Sequence, residues 1–324
     1  RMTGVSGLEG DPAYPPGKRP QMRPPALGRS GVTWGAALNK LGWHWWPSDI
    51  SIAIEEYEGR AKCLNLAHCT PGCAQGAKAS VDITYWPQAI RAGVELRTYC
   101  RVKRITTGPD GMVTGAEYFD PAGKLCFQAA HAVVVACNGI GTPRMLLASA
   151  SEQHPNGLAN SSDQVGRNLM LHPYVSVYGY VDHEVDGNRG PPLSLWSHEF
   201  YETRPENDFK RGYIFQINRG AGPVTEATSS ADAGRLPWGA GHHAVMRKLH
   251  YRRLGISLVI DDLPEAHNRV TLDPVLKDTH GIPAPKVDYA IGENSRRMID
   301  HGIEKASMAL EAAGATDISV LNPI

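Results

Sequence analysis

The stretch that most constrains this chain is AAHAVVVACNGIGTPRMLLAS at 129–149. Ala132 to Ala136 is an apolar run rich in β-branched valine, which reads as a strand buried on both faces. Asn138, Gly139 and Gly141 permit a tight turn. Thr142 is placed to cap a helix, Pro143 suits its first turn, and Arg144 to Ser149 carries it on. Strand, glycine turn and helix in succession are what α/β proteins place at the edge of a nucleotide site. The same order also serves an ordinary αβ unit of a large domain.

A chain of 324 residues has room for two domains. Lys plus Arg and Asp plus Glu both total 33, a balance that points away from nucleic acid and from anionic membrane surfaces. No apolar run approaches the roughly 20 residues of a membrane-crossing helix. The opening RMTGVSGLEGDPAYPP has no apolar segment of a signal peptide and no initiator methionine. The closing ISVLNPI stops just after an apparent strand. The expectation is therefore a piece of a longer protein. Its compartment, periplasmic or cytoplasmic, stays open because an export signal would precede Arg1.

Residues 1–33 are rich in Pro, Gly and Arg and read as an irregular arm. Trp43, Trp45 and Trp46 beside Pro47 supply apolar area for packing, with a pocket-lining role as the alternative. Cys63, Cys69 and Cys73 follow in a loop with Pro71, Gly72 and Gly76. Three thiolates so close can hold a soft metal or an iron–sulfur cluster. The spacing fits neither zinc pairs nor the common ferredoxin run, and His68 is a spare donor. Free or disulfide-linked cysteines in a structured loop are the alternative.

A helix is expected over 80–92 and meander strands over 95–105 and 112–120, followed by 125–137 leading back to the valine run. His172 reads as structural. Short alternating runs at 174–182, 212–218, 255–261, 269–273 and 285–289 predict an antiparallel sheet with one covered face. The stretch 219–245 reads as a loop shaping entry to a site, with His242 and His243 as surface groups. Asn294 caps a last helix whose apolar face is Ile299, Ile303, Ala306, Leu310 and Ala313; Gly314 closes it, and a strand starts at 316.

The blocks LGWHWWP, CTPGCAQGAKAS, TYWPQAIRAGVELRTYCRVKRI, ACNGIGTPRMLLAS, GLANSSDQVGRNLMLHP and LPEAHNRVTLDPVLKDTHGIPAPKVDY run in order from Pro20 to Ile318. Together they resemble the glucose–methanol–choline (GMC) oxidoreductases, in particular the branch of gluconate and sugar dehydrogenase flavoproteins. The resemblance implies an α/β fold with an α+β substrate part. An incomplete, doubly wound FAD-binding domain would take 1–172, and an antiparallel-sheet substrate domain 173–290. A helix and strand at 291–324 would return to the FAD domain. It also implies FAD as hydride acceptor, an alcohol or sugar as donor, and an external electron acceptor such as a cytochrome subunit.

By the same resemblance Val102 contacts the adenine through its backbone. Ala136, Cys137 and Asn138 lie along the adenosine, with Gly139 and Thr142 beside them. Asn138 departs from the small residue usual there. Cys63, Cys69 and Cys73 match the ligands of an iron–sulfur cluster carried by some members. The dinucleotide fingerprint is missing, with only a partial match in the loop at Gly239 to Ala244. The histidine base is expected beyond Ile324, so the isolated chain is expected to hold FAD poorly and to oxidise no alcohol. The alternatives are an oxygen-using oxidase of the same family and a non-catalytic remnant.

Overall fold

The computed structural model describes residues 2–17, 19–67, 69–70, 72–219, 222–232 and 234–321. In chain order the helices are α1 (Gly28–Leu41), α2 (Val81–Arg91), α3 (Asn138–Ala148), α4 (Pro223–Asp232), α5 (His242–Leu249) and α6 (Glu293–Ala312). The strands are β1 (Trp46–Pro47), β2 (Arg101–Thr107), β3 (Val113–Phe119), β4 (Leu125–Ala129), β5 (Tyr174–Tyr180) and β6 (Leu193–Ser197). They continue with β7 (Tyr213–Asn218), β8 (Arg253–Ile260), β9 (Arg269–Lys277), β10 (Pro283–Asp288) and β11 (Thr316–Leu321). Two compact units result: Arg1–Gly93 with His172–Asp261 and Glu293–Ile324, and Val94–Leu171 with Asp262–Gly292.

The first unit is built on an antiparallel sheet in the order β1-β6-β7-β8-β5-β11. Its register sorts the side chains. Val177 pairs with Ile256, and Ile256 with Ile217, whereas Ser176 pairs with Ser257, and Ser257 with Gln216. Strand alternation therefore puts Val175, Val177, Phe215, Ile217, Leu254, Ile256 and Leu258 on one face, all buried. Tyr174, Ser176, Gln216, Asn218, Arg253 and Ser257 fall on the other. Helix α6 covers the apolar face with Met298, Ile299, Ala306 and Leu310, and α1 adds Trp34 and Leu38. Gly302 permits the close approach of α6, because a Cβ there would lie 3.0 Å from Leu258 Cδ1. Each fully buried aliphatic side chain stabilises this layer by about 1.5–3 kcal/mol.

Several expectations are corrected here. The arm is not irregular to residue 33, since α1 begins at Gly28 and buries Trp34, Ala37 and Leu38 at helical spacing. The stretch 219–245 is not a continuous loop: it contains α4 and the start of α5, and His242 and His243 open α5. In the expected returning segment 291–324, the described elements stay with the substrate sheet, because α6 packs on β8 and β5 and β11 pairs with β5.

The second unit holds a three-stranded meander, β2-β3-β4, and the hairpin β9-β10. Helix α3 packs on β2, β9 and β10, and Ile105 N–H donates to Ser149 Oγ at 2.9 Å. Every ladder between strands among the described residues is antiparallel. The expected buried strand at Ala132 to Ala136 does not form. The segment has no ladder partner, and Val134 is 89 % exposed. A strand buried on both faces needs neighbours on its two hydrogen-bonding edges, and neither small sheet reaches it.

Candidate functional site

The polar face of the six-stranded sheet floors a cavity of about 690 Å³ within the first unit. Its floor includes Ser176, Tyr178, Asn218, Arg253 and Gly255, and Leu66, Ala67 and Thr70 of the cysteine loop also line it. The floor is wired together. Ser176 and Ser257 share a hydrogen bond of 2.9 Å, and Asn218 Nδ2 donates to Ser257 Oγ at 2.7 Å. Arg253 lies 4.0 Å over the Tyr178 ring and pairs with Glu226 at 3.4 Å. The fully buried Glu226 also accepts from Tyr180 Oη at 2.7 Å and Ser230 Oγ at 3.0 Å. A floor of hydroxyls and an amide, fixed by mutual bonds, suits recognition of a ligand carrying several hydroxyl groups.

The three loop cysteines are all half-buried thiols. Burial pushes the Cys69 thiol up, and the nearby Cys63 and Cys73 add to this. Burial also raises Cys73, but the backbone N–H groups of Lys78, Gln75, Ala77 and Gly76 outweigh it and hold this thiol below its usual value. Lys78 Nζ donates to Cys69 O at 2.8 Å, closing the loop. His68 lies outside the described residues.

The residues expected along the adenosine fall in the second unit. Val102 is on β2, 37 % exposed. Ala136, Asn138 and Gly139 are exposed, Cys137 is half-buried, and a Cβ on Gly139 would meet nothing within 4 Å. Thr142 does not cap α3 as expected. Its Oγ1 accepts from Cys137 N–H at 3.1 Å, while Asn138 Oδ1 takes the N–H groups of Ile140 at 2.9 Å and Gly141 at 3.0 Å. Asn138 adopts φ 62°, a left-handed conformation that asparagine tolerates. His172 Nδ1 bonds Ile260 O at 3.0 Å.

Sequence reasoning missed two groups in the first unit. Asp11, His44 and His198 are spaced for a metal ion. His198 N–H donates to His44 Nδ1 at 3.1 Å, so the proton of that ring sits on Nε2 and goes to Asp11 Oδ1 at 2.8 Å. In that tautomer His44 offers no ligand, and the trio braces the arm against β6. His301 of α6 bonds Tyr213 Oη at 2.8 Å amid Phe200 and Phe209, and burial lowers its pKa. No periodicity marks either group, because each is assembled from distant segments.

Residues 36–174 match the family model described as GMC oxidoreductase. A 2-methyl-1,2-propanediol dehydrogenase from Mycolicibacterium austroafricanum is 38 % identical over 99 % of this chain and 59 % of its own length. The large subunit of a Gluconobacter japonicus fructose dehydrogenase is 28 % identical over 98 % of this chain and 58 % of its own. A solved formate oxidase from Aspergillus oryzae, studied for FAD modification, superposes with TM-score 0.56 at 14 % identity, covering 88 % of this chain and 53 % of its own. Residues 36–174 are thus of GMC-oxidoreductase type by the family model, and the mixed α/β fold with antiparallel sheets is like that of the solved formate oxidase. It spans about three-fifths of the curated relatives it matches, 59 % and 58 %.

Proposed function

We propose that this chain supplies the substrate wall and the adenosine-side contacts of an FAD-dependent dehydrogenase acting on a CH–OH group of a diol or sugar. The observation that carries this reading is the hydroxyl-and-amide floor of Ser176, Asn218 and Ser257 beneath a cavity of about 690 Å³. Its polarity matches the diol and sugar named for the two dehydrogenase relatives. Ser176 and Asn218 would bind and orient the polyol, and Arg253 would hold Tyr178 flat against the floor.

FAD, when bound, supplies the acceptor for the hydride. Val102, Ala136, Cys137, Asn138, Gly139 and Thr142 would hold its adenosine. The fit supports this in part, because Val102 and Ala136 present open apolar surface and Gly139 leaves space free. The N–H groups opening α3 are already taken by Asn138 and Thr142, which leaves few donors for a pyrophosphate. No histidine lines the cavity among the described residues, so no proton acceptor is assigned within it.

The four N–H groups around Cys73 favour the thiolate that an iron–sulfur cluster on Cys63, Cys69 and Cys73 would need, although the three sulfurs are not gathered as closely as the ligand atoms of Asp11, His44 and His198. Such a cluster supplies one-electron transfer, which suits an external acceptor, a cytochrome subunit among them, more than oxygen.

In an active flavoprotein containing this segment, Ser257→Ala and Asn218→Ala should each lower kcat/KM for polyols about tenfold or more, by leaving the partner amide or hydroxyl unpaired. Unchanged kcat/KM in both would refute the substrate wall. The chain of residues 1–324 alone should retain less than stoichiometric FAD through gel filtration. Iron and acid-labile sulfide after anaerobic purification test the cluster, and their absence would remove it.

A further inference from the structure

We propose a second binding site in the first unit: an oxyanion site, for phosphate or carboxylate, at the N-terminus of α1. It rests on different residues from the redox reading. A cavity of about 420 Å³ is lined there by Arg23, Gly28, Arg29, Lys62, Arg189 and Arg219, with Asp186 as the sole acidic side chain of the lining. Asp186 is paired with Arg29 at 3.4 Å. Arg23, Lys62 and Arg189 are exposed and form no ion pair among the described residues. Cations gathered this closely repel one another unless an anion sits between them.

Arg219 is the built part of the site. It is 5 % exposed, and its Nη2 donates to Ala26 O, yet its Nε has no partner. Two glycines make room for it. Gly28 has φ +66° and a Cβ there would stand 2.6 Å from Nη1; Gly190 has φ +94° and a Cβ there would stand 2.9 Å from Cζ. A guanidinium taken out of water needs a counter-charge, and its planar fork fits a carboxylate or phosphate.

The helix end adds to this field. α1 has 14 residues, no side-chain cap at Leu27 and no acidic residue in its first turn. Ser30 N–H already donates to Val185 O at 3.0 Å, while Gly28 and Arg29 border the cavity and turn the rest of this positive end toward it. Cleft, basic lining, uncapped helix and a buried guanidinium with a spare donor all call for the same ligand. The Cys63 side chain also lines the cavity.

Calorimetric titration of the purified chain with inorganic phosphate, and separately with acetate, at fixed ionic strength tests the site. Saturable binding of either anion at about one per chain is expected, and the tighter probe tells phosphate from carboxylate chemistry. Arg219→Gln should weaken it about tenfold or more. The double variant Lys62→Gln, Arg189→Gln changes exposed side chains only and should weaken binding without altering the melt, which keeps the test open if Arg219→Gln misfolds. Cys63→Ser should leave binding intact. No saturable binding, chloride competing equally, or affinity unchanged in the double variant would overturn the proposal. Loss of binding in Cys63→Ser alone would overturn it as well.

Discussion

The two units handle their apolar residues in opposite ways. In the first, the apolar face of the six-stranded sheet is covered by α6 and α1, and Leu254, Ile256 and Leu258 are 0 % exposed. In the second, among the described residues, the buried apolar side chains are few: Ile105, Met145, Leu169, Val270 and Ile282. Its most apolar run, Ala132 to Ala136, stands open. The same residue type, valine, is thus core at 175 and 177 and surface at 134. What differs is the presence of hydrogen-bonded neighbours and a covering helix, not the residue's own preference.

The strongest way to break this contrast is at Glu226. Glu226→Ala would strand Arg253 and Tyr180 without their buried partner and should cost about 3–5 kcal/mol in urea or thermal melts of the first unit. Leu258→Ala, at 0 % exposure beneath α6, should cost about 2–5 kcal/mol. Val134→Ala, by contrast, should stay within about 0.5 kcal/mol. A Val134→Ala loss as large as that of Leu258→Ala would mean the run is core after all.

Acid should separate the units as well. Burial holds His198 and His301, both in the first unit, below the usual 6.5. Each is neutral when folded but protonates readily when unfolded. Their contribution is therefore complete above about 6.5 and is lost as pH falls from there toward the depressed values. In the second unit the Arg104 hydrogen bond holds Glu117 below its usual 4.5. For Asp278 burial acts upward, but the N–H groups of Ile282 and His280 and the Arg101 side chain win, leaving it below 3.8. Those carboxylates stabilise above their unfolded values and lose this only as pH falls through the depressed ones. Hydrogen exchange at about pH 5.5, corrected for intrinsic rates, should show the first unit loosening before the second. The reverse order would contradict the assignment.

The antiparallel sheet was legible because β7 alternates strictly and β5 and β8 carry aliphatic residues at nearly every second position, and α6 because its apolar face repeats at four and three residues. The polar floor was not, since which residues share a face with Ser257 depends on register between strands about 40 and 80 positions apart, beyond any local pattern. Helix α1 was hidden by Gly28, Gly31 and Gly35, poor helix formers kept where Arg219, Leu27 and Trp45 crowd in. The valine run misled for the opposite reason: its composition names a strand, but a strand exists only in a ladder. The cysteine loop was seen, whereas its place beside the floor of the cavity needed the fold.

The margins of the large sheet are unequal. On one side β1 is two residues long and ends in Pro47, which has no N–H to give, and the arm is braced there through Asp11 and His44. On the other side β11 runs six residues, with no strand beyond it among the described residues and with Val320 and Leu321 exposed. A further strand would therefore meet less resistance at the β11 margin than at the proline end, although Arg235 Nη2 already donates to Asp317 O there.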